Sequence, residues 1–351
     1  MSLKDCSEIR SIMGQVEPAP FATQPEDLIS WLPIDACIRD GKPAIEWMDL
    51  AGIEFTEPLF QQTLGRVNSD RRRLVTDFDL LLRTGKVFDS LEPSGFIFHS
   101  SRCGSTLLAN ACRALRGSIV ISEAPVLDKI ASRFLTDADT ESKLLLYKLF
   151  LKGAVGALGQ RRFRNERRFF IKFSCTSTMF MGHIRTIWPN VPFIFLYRDP
   201  VEIIVSNLKN IPEWMSIESN ANAAAVVAGV GVDQLGQMPA AEFCARALGR
   251  FFNEVVEFID PRTLLVNYTQ LNLAGLLSAL RFMGVEPSTK EIETIQTMTR
   301  WYSKDSQQSY IFQAERDSKR TWASRAAREM ADRWAASGFE ALENLRYYAG
   351  Q

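Results

Sequence analysis

The chain predicts an α/β fold in which a mostly parallel sheet is flanked by helices, preceded by an α+β extension. Three observations carry this expectation. Five short apolar runs, bounded by turn signals, alternate with helical stretches from residue 95 onward. Residues 1–94 differ in texture, being rich in Pro, Asp and Glu with only brief apolar stretches. Small polar and basic residues follow directly on the first and fourth runs, where open parallel sheets bind their ligands. The domain boundary is therefore expected at Pro93-Ser94-Gly95, with an N-terminal subdomain over 1–94 and an α/β domain over 95–351.

In the extension, Ile29–Ile34 and Ala44–Leu50 are short apolar stretches. Leu59–Val67 and Leu74–Leu82 read as amphipathic helices flanking Asp70-Arg71-Arg72-Arg73, a solvated helix start. Gly95–His99 reads as a buried strand, and Ser105–Leu115 as the helix after it. The next strands are Ile119–Ile121, Arg168–Phe173, Val191–Tyr197 and Thr263–Tyr268. Helices are expected over Glu141–Leu158, Thr178–Trp188, from Pro200, and over Ala240–Ile259. Ala221–Gly236 suits either a packed helix or a lid over the site.

The chain has 351 residues, 46% of them hydrophobic and 23% charged, enough for a large core and against general disorder. Lys plus Arg and Asp plus Glu each number 41, so the formal net charge is zero. That argues against bulk binding to nucleic acid or to an anionic membrane, and leaves room for a local anion site. The six Cys (6, 37, 103, 112, 175, 244) show no CxxC pair, and with two His no metal-ligand spacing arises. They read as free thiols of a reducing, cytoplasmic compartment. Met1–Arg10 is polar, unlike a signal peptide, and the longest apolar run, Ala223–Val232, is half of a membrane span of about 20 residues.

Ser100-Ser101-Arg102-Cys103-Gly104-Ser105-Thr106 leads from the first strand straight into a helix. Backbone N–H groups converge at such a turn and the helix dipole favours negative charge. Ser105 or Thr106 alone would suit a helix N-cap; Arg102 and Gly104 beside them point to an anion. No Lys follows Gly104, so this is not the Walker loop of a Mg²⁺-triphosphate enzyme. After the fourth strand, Arg198-Asp199-Pro200 opens a helix carrying Ser206, and an Arg with a hydroxyl can clamp a second phosphate.

Taken together, Arg102–Thr106 and Arg198-Asp199-Pro200…Ser206 resemble the sulfotransferase family, over Gly95 to about Leu271. The resemblance implies a three-layer P-loop-like fold. It implies that Arg102, Cys103, Gly104, Ser105 and Thr106 hold the 5′-phosphosulfate of 3′-phosphoadenylyl sulfate (PAPS). Arg198 and Ser206 would hold its 3′-phosphate, and adenosine 3′,5′-bisphosphate would be the product, with no metal. Leu264–Leu271 looks like the family's strand followed by Tyr-Glu-Asp-Leu, with Thr269-Gln270 replacing Glu-Asp. The Arg in the loop resembles the tyrosylprotein and bacterial branch rather than the cytosolic steroid and phenol branch. That branch implies Glu123 as catalytic base and Lys172 as catalytic cation, beside Arg102. Alone, Glu123 before Ala-Pro also suits a helix entry, and Lys172 in an apolar strand suits a side chain that snorkels outward.

Sulfuryl transfer needs an acceptor that loses its proton as it attacks, and positive charge on the leaving phosphate. The acceptor, a small molecule or peptide hydroxyl or amine, is not legible, and no nucleic-acid or membrane partner is indicated. A P-loop kinase-like phosphotransferase and a non-catalytic nucleotide-binding scaffold are the alternative readings. Cys103 stands where the family has Ser, and a thiol at a helix N-terminus can be reactive. His99 is placed to line the pocket, His183 reads as structural, and Asp317-Ser318-Lys319-Arg320 as an exposed helix start or a cofactor contact. Arg161–Arg168 reads as a solvated loop or a contact for an acidic acceptor.

Overall fold

Two sheets organise the chain in a computed structural model that describes residues 24–39, 42–67, 71–85, 87–133, 140–216, 221–299 and 323–349. The first is an antiparallel meander of β1 (Trp31–Arg39), β2 (Lys42–Asp49) and β3 (Arg73–Asp77). The second contains β4 (Gly95–His99), β5 (Ser118–Ser122), β6 (Arg168–Lys172), β7 (Phe193–Tyr197) and β8 (Thr263–Asn267) in the order β5-β6-β4-β7-β8. Its β4–β7, β5–β6 and β7–β8 pairs are parallel. Every residue of β4 and β7 is buried, as expected of strands covered by helices on both faces. The α/β architecture with an N-terminal α+β extension is therefore as the sequence predicts.

The chain divides into two compact units, one of Gly95–Ala114 and Ser174–Gln351, the other of Ser2–Ser94 and Leu115–Phe173. In the second unit the helix Glu141–Leu158 begins where Thr140 accepts a hydrogen bond from the Lys143 amide. It buries Phe150, Leu151, Ala154 and Val155, and Phe150 meets the Phe78 ring at 4.3 Å between centroids. The helix Pro125–Ala131 packs on β1, where Lys129 pairs with Asp35 at 2.6 Å. Trp47, fully buried on β2, donates its indole N–H to Thr76 on β3 at 2.9 Å.

Leu74–Leu82 is not one helix. Residues 73–77 form β3, and the helix Phe78–Thr84 starts only after Asp77, whose carboxylate accepts from the Leu80 amide at 2.9 Å. The basic cluster is correspondingly not a helix start. Arg72 reaches Asp49 at 2.9 Å and Arg73 reaches Glu46 at 2.8 Å, both on β2. Pairing with β2, where Leu74 stands opposite the buried Trp47, thus overrides the helical periodicity.

In the other unit, the helix Ala240–Phe258 buries Phe243, Leu248, Phe251, Phe252 and Val255. The expected Thr178–Trp188 helix is split into a 3-10 segment, Cys175–Phe180, and an α-helix, Met181–Ile187. Ala221–Gly236 forms helices Ala221–Ala228 and Val232–Leu235, and the first buries Ala224, Ala225, Val227 and Ala228. That segment packs against Ala240–Phe258. At the carboxyl ends of β7 and β8, Tyr197 and Asn267 both donate to Glu343 of the helix Ala336–Ala349, at 2.5 and 2.9 Å. Among the described residues no helix is long and apolar enough to cross a membrane.

Glu254, on Ala240–Phe258, accepts the Gly182 amide at 3.2 Å. Burial pushes its carboxyl up to about 7 against that hydrogen bond, with Glu257 adding to the shift and Arg250 opposing it. The folded chain therefore holds a proton that the unfolded chain releases near its ordinary value of 4.5. Stability from this group is complete below that value and is lost as pH rises through about 7. Glu254→Gln should accordingly gain on the wild type in urea melts at pH 8 and not at pH 4; a gain independent of pH would contradict this.

Candidate active site

The turn after β4 is built on left-handed backbone. Ser101, Arg102 and Gly104 have φ of 69°, 47° and 83°. Two of these are L-residues with a Cβ, and a conformation of that kind persists only when the surroundings fix it. His99 Nδ1 accepts the Ser101 amide at 3.1 Å, which sets its neutral tautomer. The Leu196 carbonyl on β7 accepts the Ser100 amide at 3.0 Å and the Cys103 thiol at 3.2 Å. Asn207 Oδ1 accepts both Ser101 Oγ, at 3.3 Å, and Arg102 Nε, at 3.1 Å. Arg102 Nη2 donates to the Asn210 carbonyl at 2.8 Å. A side chain at Gly104 would be strained by its left-handed φ, and its Cβ, 2.5 Å from Leu271 Cδ1, would push that side chain aside. The helix Ser105–Ala114 follows, with Ser105 and Thr106 buried in its first turn. First-turn amides of a helix lack intrahelical acceptors and carry the positive end of its dipole.

Arg198 stands at the end of β7, the parallel neighbour of β4. Asp199 caps the helix Pro200–Lys209 by accepting the Glu202 amide at 3.2 Å. Arg198 is 5% exposed. Its Nε donates to Glu202 at 2.5 Å, and its guanidinium lies 4.1 Å from the centre of the Tyr268 ring. Its Nη1 donates to the Arg102 carbonyl at 3.5 Å, so the two motifs meet directly. Ser206 lies half-buried on the same helix, one turn beyond Glu202. Glu202, Asn207 and Tyr268 belong to this cluster without having been singled out in the sequence. Glu202 left a signal there, four residues after Arg198, and Tyr268 stands at the Tyr of the segment that resembles Tyr-Glu-Asp-Leu.

Glu123 and Lys172 form a second cluster, in the other unit. Each lies at the carboxyl end of adjacent parallel strands, with Ser122 of β5 opposite Lys172 of β6. Lys172 does not snorkel: its side chain is 1% exposed and its Nζ lies 2.6 Å from Glu123 Oε1, while Glu123 is 31% exposed. A buried ammonium requires such a partner. The Glu123 amide donates to the Lys172 carbonyl at 2.7 Å. Glu123 has φ of 55°, so it too is a left-handed L-residue rather than an ordinary helix entry.

The remaining candidates separate from these clusters. Cys103 is fully buried, so its thiol packs instead of facing solvent. Burial pushes Cys112 and Cys244 up to about 12, which leaves them unreactive. Cys103, Cys112, Cys175 and Cys244 are in no disulfide. Cys37 is disulfide-bonded, which corrects the expectation of free thiols throughout; sequence spacing does not reveal which cysteines meet. Arg161 pairs with Asp89 at 2.5 Å and Arg162 with Glu166 at 3.2 Å, so part of the basic stretch is engaged within its own unit. Asp317–Arg320 lies outside the described residues. Among the described residues no three His, Cys, Asp or Glu are placed to hold a metal ion.

No family model and no curated protein matches the chain. Solved structures do, at 11–16% identity. Among the structures it resembles are sulfotransferases. One, from Alicyclobacillus acidocaldarius, is 13% identical over 73% of this chain and 96% of its own, with a TM-score of 0.39. One from Mycobacterium avium is 11% identical over 70% and 78%, with a TM-score of 0.39. The sulfotransferase domain of the Synechococcus PCC 7002 olefin synthase is 16% identical over 73% and 95%, with a TM-score of 0.35. Likenesses this distant carry no argument about function, which rests on the two clusters above.

Glu202→Ala should strip the buried Arg198 of its carboxylate. Loss of one partner of a buried pair costs about 3–5 kcal/mol. Calorimetry should show a clear fall in melting temperature, larger than for Glu329→Ala, whose pair with Arg325 is exposed. Equal effects would remove Glu202 from this role.

Proposed function

We propose that this protein moves a sulfuryl group from 3′-phosphoadenylyl sulfate to a hydroxyl or amine of a small-molecule or peptide acceptor, releasing adenosine 3′,5′-bisphosphate. One observation carries the reading. Two arginine-bearing motifs on adjacent parallel strands, one of them a left-handed turn leading into a helix, are joined through Arg198 Nη1 and the Arg102 carbonyl. This donor set suits two phosphate groups on one nucleotide: main-chain amides and a helix N-terminus for one, a buried guanidinium for the other. The donor brings an activated sulfuryl group, and the chain's residues bind and orient it.

In this reading Arg102 and the turn over Cys103, Gly104, Ser105 and Thr106 take the 5′-phosphosulfate. Arg198 and Ser206 take the 3′-phosphate. As the acceptor oxygen or nitrogen bonds to sulfur, the bond from sulfur to the bridging phosphate oxygen breaks, and that electron pair leaves with the bisphosphate. Glu123 takes the proton from the acceptor. The ion pair with Lys172 supports this role in two ways. It holds the Glu123 carboxylate in one place, at the end of strands whose register is fixed. Once Glu123 is neutral, the Lys172 charge is released to the developing negative charge. The left-handed backbone at Glu123 is a cost that a purely passive nucleotide-binding scaffold would not need.

The test is thermal stabilisation by adenosine 3′,5′-bisphosphate against ATP with Mg²⁺. At about 100 times its dissociation constant a ligand of the folded state adds roughly 2.7 kcal/mol. The bisphosphate should raise the melting temperature; a response to ATP with Mg²⁺ alone would overturn the reading. Arg198→Ala should weaken the bisphosphate while leaving adenosine 5′-phosphate nearly unchanged, and equal losses would remove Arg198 from the 3′-phosphate. Glu123→Gln should retain the bisphosphate shift and lose transfer of labelled sulfuryl groups.

A further inference from the structure

The geometry points to Asn207 as the positioning residue of the anion turn, the group that holds its left-handed backbone in the shape that receives a phosphate. The inference rests on reading that turn as the 5′-phosphosulfate site. Ser101 and Arg102 both depart from the conformations that L-residues favour. Both send a side-chain donor to the same atom, Asn207 Oδ1, across more than 100 positions of sequence. Asn207 is fully buried, on a helix with regular backbone, so the strained partners are held by the unstrained one.

The amide has one workable orientation. Its Nδ2 donates to Cys244 Sγ at 3.5 Å, and burial keeps that thiol protonated. Turned over, Nδ2 would face Arg102 Nε, a donor against a donor. The neutrality of the side chain matters too. An Asp would offer the same acceptor, but its charge beside the turn would oppose an incoming anion and hold the Arg102 guanidinium more tightly. Asn207 also follows Ser206, so one helical turn ties the 5′-phosphosulfate motif to the 3′-phosphate motif.

Titration calorimetry with adenosine 3′,5′-bisphosphate on the full chain tests this in wild type, Asn207→Ala, Ser101→Gly, the double variant and Asn207→Asp. Asn207→Ala should weaken binding about tenfold, the scale of one hydrogen bond to a charged group. Ser101→Gly removes the left-handed penalty, so the double variant should recover most of that loss. Asn207→Asp should melt close to the wild type yet bind more weakly, by a factor that shrinks in high salt. Unchanged binding in Asn207→Ala, or no recovery in a folded double variant, overturns the proposal. If Asn207→Ala does not fold, Asn207→Asp and the double variant decide it on the same terms. A wild type that ignores the bisphosphate sinks the sulfuryl-transfer reading alone. Asn207 is then judged by whether Ser101→Gly offsets Asn207→Ala in melting temperature, and additive losses there would overturn it.

Discussion

Left-handed backbone at the carboxyl ends of parallel strands is the constraint on which both clusters depend. Of the four described non-glycine residues with positive φ, three are Ser101, Arg102 and Glu123. Each costs free energy that the surrounding structure must offset. For Ser101 and Arg102 part of the offset comes from β4 and β7, whose buried aromatic residues fix both strands. Phe98 and Phe193 lie 5.0 Å apart, and Phe96 meets Trp188 edge-on at 5.1 Å. With β7 fixed, its Leu196 carbonyl can hold the turn at two points. For Glu123 the offset is the β5–β6 register, which brings its amide to the Lys172 carbonyl and its carboxylate to the Lys172 ammonium.

Charge is managed by the same economy. The chain is neutral overall, and three buried cations among the described residues are each matched by a carboxylate: Lys172 by Glu123, Arg198 by Glu202, Arg162 by Glu166. Matching offsets the desolvation of each cation without adding net stability. The three pairs differ in what surrounds them. Arg162 stacks on Phe55 and donates to the Ile53 carbonyl, which ties a loop down. Arg198 instead lies against the carbonyl of the left-handed turn, and Lys172 against a left-handed carboxylate. On the proposed reading, a phosphate at Arg198 would share that guanidinium with Glu202, so its affinity would reflect a competition inside the protein as much as the number of cations.

The sheet was legible in the sequence because its strands are buried on both faces and read as unbroken apolar runs. The helix Glu141–Leu158 was legible because Thr140 caps it and Gly159 follows it. β3 was not, because Leu74, Leu81 and Leu82 also satisfy a helical repeat. Its pairing with β2 shows which period applies. Arg102, Gly104, Glu123 and Arg198 were legible as residues placed after strands, and Lys172 as a charge inside one. What they touch was not.

Asn207 shows why. Nothing distinguishes it within Val205-Ser206-Asn207-Leu208, since its partners Ser101 and Arg102 become neighbours only once β4 pairs with β7. Tyr268 is visible in the segment that resembles Tyr-Glu-Asp-Leu, yet it reaches Arg198 only through the β7–β8 pairing. Local chemistry announces the residues that a ligand meets, because those need particular functional groups at particular strand ends. The residues that hold them in place need only be neutral, buried and correctly distant, and that is a property of the folded sheet rather than of any segment of the chain.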